Sequence, residues 1–216
     1  MKVDILCSSQ NHPIVPLIKR WCENSSCKYS AELHHVAMTL KGGDFLFLIS
    51  CSEIVTKEIR NQYKYSLVLH ASDLPLGRGW SPHIWSILNG ADELTISMIE
   101  AADPVDSGNI WAKKRIAVPR HLLFDEINKL VFDAELELME QALELSNSNI
   151  QTTSQSESDV TYYKKRLPKD SEINPERSIS EQFDLIRVSD PERFPAFFFM
   201  RGHKYQIEIK RVSDDD

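Results

Sequence analysis

A chain of 216 residues with a formal charge of −7 has the length for one sizeable core, but its charge is wrong for a protein whose main work is gripping RNA or DNA. Its residues are 42% hydrophobic and 26% charged, as in an ordinary globular protein, and its longest apolar runs, Phe45 to Ile49 and Pro195 to Met200, are far too short to span a bilayer. Asp4 interrupts any apolar region at the N-terminus, so Met1 to Cys7 reads as a core strand rather than a signal peptide, and a cytoplasmic protein without membrane or nucleic-acid partners is expected.

In chain order, Val3 to Cys7 predicts a buried strand. Ile14, Leu17, Ile18 and Trp21 recur at helical spacing over Pro13 to Asn24, with Asn11 as a candidate cap. Ala31 to Met38 predicts a second strand, in which the adjacent His34 and His35 point to opposite faces and so do not share a ligand. Cys7, Cys22, Cys27 and Cys51 match neither a zinc knuckle nor a C-x-x-C motif, so reduced thiols and no metal centre are expected.

After the Gly42-Gly43 turn, Asp44 to Ser50 is the clearest strand, and its unbroken apolar run suggests burial on both faces. Ser52 is placed to cap a helix running through Arg60. A strand then ends in Leu67-Val68-Leu69-His70 and breaks into a Gly/Pro-rich loop. It is followed by a helix over Pro82 to Leu88 closed at Asn89-Gly90, and by strands over Leu94 to Ile99 and Ile110 to Val118. This alternation predicts an α/β domain, a Rossmann-like and mostly parallel sheet flanked by helices. No G-x-G-x-x-G or P-loop is present to bind a dinucleotide or ATP.

From His121 to Leu145, positions Leu122, Leu123, Ile127, Leu130, Val131, Ala134, Leu138 and Ala142 trace the apolar face of a long helix, which could also supply a homodimer surface. The layout expected is a catalytic domain over 1–145, a polar linker or loop over 146–160, a small α+β extension over 161–213 and an acidic tail over 214–216. Within the extension, a short helix over Ser180 to Val188 precedes a hairpin-like pair of runs, Ala196 to Met200 and Lys204 to Ile209.

Two polar clusters carry candidate chemistry: His70 to Pro82, and Ala101 to Gly108 with Asp106. If their strands are parallel neighbours, His70 and Asp106 meet at the carboxyl edge of the sheet, where open α/β folds place their sites. A histidine beside a carboxylate suits proton transfer and charge stabilisation at a carbonyl under attack. Read without chemistry, the same residues are a hydrogen-bonded strand-end histidine and the start of an Asx turn.

The wording of the clusters resembles the folate-dependent formyltransferases. His-Ala-Ser-Asp-Leu-Pro-Leu-Gly-Arg-Gly, then Ser-Pro and Ile-Trp-Ser-Ile-Leu-Asn-Gly, is similar to the family's H-x-S-x-L-P-x-x-R-G…P…W-x-I-x-N-G signature. Asp103-Pro104-Val105-Asp106-Ser107-Gly108-Asn109-Ile110 is similar to its D-x-G-[DN]-I segment. The likeness is good over residues 44 to 118 and looser over the first strand. It implies transfer of a formyl group from N10-formyltetrahydrofolate to a primary amine. His70 would stabilise the oxyanion and pass a proton to N10, and Asp106 would support the imidazole. The pterin would sit against Ser50, Cys51, Ile54, Ala102, Asp103 and Val105, and the acceptor against Ser72, Arg78, Gly79, Tyr162 and Lys165. Ser50-Cys51-Ser52 also reads as a plain strand-to-helix cap, and Tyr162 to Arg166 as a solvated basic strand.

The family's catalytic asparagine lies two residues before the histidine, where this chain has Val68. Valine donates no hydrogen bond, and losing such a donor costs on the order of a hundredfold or more in rate. Asn89 is a weak stand-in, since its Asn-Gly setting is that of a helix end. The tRNA-formylating relatives carry a further RNA-binding domain, which a chain this acidic and this short is not expected to contain. Its region from Tyr162 to Ile209 resembles the short extension of nucleotide-sugar formyltransferases. The acceptor expected is therefore an amino-deoxy sugar, nucleotide-linked or of pseudaminic-acid type. The alternatives are a catalytically impaired module binding folate or nucleotide-sugar, and a formyltransferase for a non-sugar amine.

Overall fold

The computed structural model describes residues 1–146 and 150–212, so the acidic tail 214–216 and part of the polar stretch after the long helix lie outside the described residues. In chain order the elements are β1 (Lys2–Leu6), α1 (Val15–Ser25), β2 (Ser30–His34), β3 (Gly43–Ile49), α2 (Lys57–Arg60), β4 (Tyr63–His70), β5 (Arg78–Gly79), α3 (Pro82–Leu88), β6 (Glu93–Glu100) and β7 (Ile110–Ala117). Then come α4 (Phe124–Leu145), β8 (Tyr162–Tyr163), α5 (Ile179–Arg187), β9 (Ala196–Met200) and β10 (His203–Ile207).

Six strands form the main sheet in the order β2-β1-β3-β4-β6-β7. The first four run parallel, while β6 is antiparallel to both β4 and β7. The sheet is thus mixed, and the parallel pairing expected between the His70 strand and the next one is replaced by an antiparallel one. Phe45, Phe47 and Ile49 of β3 face a core shared with α1 and α4, while Leu46 and Leu48 face a second cluster with Leu6, Leu40, Val55 and Tyr63. This is why the run is apolar at every position.

Several local expectations shift. Helix α1 begins at Ile14 without a side-chain cap, so Asn11 does not cap it; Pro16 in the first turn has no N–H to satisfy. Strand β2 stops at His34, because His35 Nδ1 pairs with the carbonyl of Cys7 (2.7 Å) and residues 37–39 close a single 3-10 turn. Ser52 caps nothing: helix α2 is a single turn that starts after Thr56 without a side-chain cap, and the Ser52 N–H donates to Ser8 Oγ (3.0 Å). Residues 50–56 therefore lie as an irregular loop across the ends of β1 and β3. Helix α5 is capped by Ser178 with Glu181, and β9 and β10 form the expected hairpin around Arg201-Gly202, both at positive φ.

The stretch after α4 is more engaged than a free linker. Thr153 bridges Ile110, Thr161 Oγ1 accepts from the Gly77 N–H (2.8 Å), and β8 pairs with β5. No helix among the described residues is long and apolar enough to cross a membrane.

Helix α4 buries the expected apolar face, but Asn128 and Glu135 lie on it as well, 6% and 5% exposed. Burial pushes the Glu135 carboxyl up to about 8. A carboxyl held above its unfolded value contributes nothing adverse at low pH, where both states are protonated. Its cost to the fold grows as pH rises from about 4.5 to about 8. Glu135→Gln should accordingly flatten the fall in stability across that window, raising urea midpoints at pH 8 more than at pH 4.5. The difference should approach roughly 1.4 kcal/mol per pKa unit. Gly108 has a different constraint: a Cβ there would lie 1.9 Å from the Glu100 carbonyl oxygen. Gly108→Ala is expected to cost about 2–4 kcal/mol in urea denaturation.

Candidate active site

The carboxyl ends of β1, β3 and β4 lie side by side, and over them opens a cavity of about 660 Å³, within the usual range for a small-molecule site. His70, the last residue of β4, lines it and is 7% exposed. The His70 Nε2–H donates to the carbonyl of Gly77 (2.9 Å). That bond requires a hydrogen on Nε2, and Nδ1 faces Asp106 Oδ1 at 3.6 Å. The other Asp106 oxygen, Oδ2, accepts from the Gly79 N–H (2.9 Å).

Asp106 reaches this place by a detour. In the antiparallel register His70 sits opposite Ser97, and Glu100 opposite Leu67, so β6 ends beside the middle of β4 rather than beside its tip. The loop over 101–108 must travel back toward His70. It is closed at its base by the Glu100 N–H donating to the Asn109 carbonyl (2.9 Å) and the Ala101 N–H to that of Ser66 (2.8 Å). The Arg60–Asp103 ion pair holds its outer side. Gln155 fastens its far side, donating Nε2 to the carbonyls of Asp106 and Gly108 (2.8 Å each) while its Oε1 accepts from Arg78 Nη2 (2.7 Å). Ser50, Ser81 and Asp106, all lining the cavity, take left-handed backbone conformations.

Of the residues proposed for the pterin, Ser50, Cys51, Ile54, Ala102, Asp103 and Val105 all line the cavity. Ile54 and Val105 are 75% and 58% exposed, two apolar side chains left open at its mouth where a flat ring would cover them. Of those proposed for the acceptor, Gly79, Tyr162 and Lys165 line the cavity too, with Lys165 Nζ 4.4 Å above the Trp80 ring. Ser72 and Arg78 do not. Ser72 is buried beneath Gly77 and accepts Ser97 Oγ at its carbonyl (2.6 Å), and Arg78 is buried between Gln155 and Tyr162. Both support the site from behind. Val68 lines the cavity as expected from its place two residues before His70, while Asn89 points to the Tyr163 hydroxyl (3.4 Å) and lies off it.

The cavity is also lined by residues that the motifs do not announce, His12, His83, Asn128, Phe132, Glu135 and Asp190. Burial, then the charge of Arg193, holds His12 down to about 4. Burial, then the charges of His12, His70 and Arg166, does the same for His83. Both are neutral imidazoles at neutral pH, and His83 Nδ1 has no partner. The available signals were His12-Pro13 and Pro82-His83 at the starts of two helices, and two polar residues on an otherwise apolar helix face.

Residues 3–143 match the formyl transferase family. The methionyl-tRNA formyltransferase of Clostridium acetobutylicum is 29% identical over 151 residues, covering 68% of this chain and 48% of that protein, so the chain spans about half the length of that curated relative. Among solved structures, a methionyl-tRNA formyltransferase from Clostridium thermocellum superposes with a TM-score of 0.80 at 21% identity over 100% of this chain and 95% of that one. HypX from Aquifex aeolicus in complex with tetrahydrofolic acid gives 0.78 at 19% identity over 94% of this chain and 36% of that one. A sugar N-formyltransferase from a Shewanella species gives 0.70 at 18% identity over 99% of both chains. These structural likenesses establish a shared fold. With its His70–Asp106 pair set in that fold and the family match running through most of the sheet and α4, this chain belongs to the formyl transferase family, whose formyl donor is N10-formyltetrahydrofolate.

Proposed function

We propose that this chain is an N-formyltransferase that moves a formyl group from N10-formyltetrahydrofolate to the primary amine of an amino-deoxy sugar, most simply one carried on a nucleotide. The observation that carries the reading is His70 Nδ1 facing Asp106 on the wall of a cavity that the loops 50–55 and 101–105 also line. Bound against the loops 50–55 and 101–105, the folate supplies an electrophilic formyl carbon. In its neutral form His70 accepts at Nδ1 the proton released when the amine attacks the formyl carbon, the Asp106 carboxylate offsets the charge of the imidazolium so formed, and the proton passes to N10 as the C–N10 bond breaks and tetrahydrofolate leaves. Burial of both groups strengthens that pairing relative to water.

The polar lining around His83, Asn128 and Glu135 suits the acceptor. Neutral imidazoles, an amide and a protonated carboxyl favour a hydroxyl-bearing ring over an apolar one. The rim of Trp80, Tyr162 and Lys165 offers an aromatic face and positive charge to a base or diphosphate.

Val68 leaves open which group holds the formyl oxygen. His83 is the residue best suited to replace the family's asparagine, because a buried imidazole that stays neutral can donate an N–H to a developing oxyanion. The same valine favours a second reading, a module that binds folate and sugar without transferring.

The direct test is incubation with N10-formyltetrahydrofolate and a panel of nucleotide-linked amino sugars and non-sugar amines, with products identified by mass spectrometry. Under the first reading His70→Ala and Asp106→Asn should each lose at least a hundredfold in kcat while folate binding by calorimetry persists. Full activity in both variants rejects the mechanism, and folate binding without product at high protein favours the second reading. His83→Ala should lower kcat by roughly ten- to a hundredfold with little change in folate affinity. An unchanged kcat would remove His83 from the role of oxygen donor.

A further inference from the structure

At the edge of the sheet, away from the cavity, the parallel register sets Asp4 beside Glu32 and Leu6 beside His34. Residues two apart on a strand share a face, so Asp4, Glu32 and His34 converge on one patch. Asp4 is fully buried and His34 is 6% exposed, an unusual place for a carboxylate and an imidazole unless they are paired.

The hydrogen bonds around them define what is left unpaired. Thr39 Oγ1 donates its own hydrogen to the Val36 carbonyl (2.7 Å), so it can only accept from His34 Nδ1 (2.9 Å). Nδ1 therefore carries the proton of the neutral ring, and Nε2 presents a lone pair. That lone pair faces Asp4 Oδ1 at 3.5 Å and Glu32 Oε2 at 3.8 Å. Neither Asp4 Oδ1 nor His34 Nε2 has a hydrogen-bond partner, though both are buried. The other Asp4 oxygen is taken up separately: it accepts from the Tyr63 hydroxyl (2.6 Å), and Lys2 Nζ stands 3.7 Å from it while donating to the Gly42 carbonyl (2.6 Å).

We propose that Asp4, Glu32 and His34 form a site for a divalent cation of the zinc class, which ties the edge strand β2 to β1. A nitrogen lone pair and two carboxylate oxygens all within 4.8 Å of one another repel unless a proton or a cation lies among them. An ion about 2.1 Å from both Nε2 and Asp4 Oδ1 would subtend an angle close to tetrahedral at their present separation. The outer partners are those that orient ligands in metal sites: Thr39 fixes the imidazole through its other nitrogen, and Tyr63 fixes the carboxylate through its other oxygen. Glu32, with its side chain 64% exposed, closes the site from the solvent side.

Chelator-stripped full-length protein, titrated with ZnCl2 by calorimetry beside Glu32→Gln and His34→Ala, tests this independently of formyl transfer. The parent should bind one ion per chain and melt at higher temperature with zinc present. Glu32→Gln, whose substituted side chain is largely in solvent and leaves the fold intact by circular dichroism, should bind at least tenfold more weakly. His34→Ala should lose the site. Absence of binding by the parent would leave the three groups a protonated ion-pair cluster, and equal binding by parent and Glu32→Gln would place the ion elsewhere, such as at the exposed Cys27. Either result overturns the proposal.

Discussion

The geometry of the candidate site depends on closure of the loop over 101–108. Strand β6 runs the wrong way to deliver Asp106 directly, so the carboxylate must be carried back along β4 to the tip where His70 sits. A glycine that admits the Glu100 carbonyl at its α-carbon, two backbone bonds at the base and the Gln155 amide at the far side make that possible. None of these groups need touch a substrate. They hold one oxygen of Asp106 on the Gly79 N–H and the other toward His70, so the remaining freedom of the pair lies in a proton at Nδ1.

The same constraint explains why the polar stretch after α4 is built into the molecule. Gln155 joins Arg78, Asp106 and Gly108, and Thr161 holds Gly77, whose carbonyl in turn fixes the His70 ring. The segment after α4 thus helps to set the orientation of both candidates, His70 and Asp106, and it carries Tyr162 and Lys165 onto the cavity lining. That lining combines exposed apolar side chains, Ile54 and Val105, with the hydrogen-bonding side chains of His83 and Glu135.

Buried polar groups recur as the informative feature of this protein. Glu135, the Nδ1 of His83 and the Asp4–His34 pair all forgo water. In the first two the charged form is suppressed by desolvation, which leaves neutral donors and acceptors facing or flanking a cavity. In the third, the arrangement of lone pairs calls for a positive species between them. A protein that needed only a core would have apolar residues at such positions, because an unpaired buried polar group costs stability.

The strands, the long helix and the positions of His70 and Asp106 within their motifs were legible in the sequence, because alternation, helical period and Gly/Pro punctuation are local properties of the chain. So was the anomaly at Val68, since it needs only a count of two residues from His70. Strand direction was not: antiparallel β6 follows a helical crossover as a parallel strand would, and no local pattern distinguishes them. Nor were Asn128 and Glu135 legible as cavity residues, since a helical pattern is found by its apolar positions and treats polar ones as outward. The supporting rather than lining place of Ser72 and Arg78, the clamp of Gln155, and the meeting of Asp4 with His34 across two strands join residues from 25 to 77 positions apart. Those contacts exist only once the sheet has a register, which is why tertiary structure alone decided them.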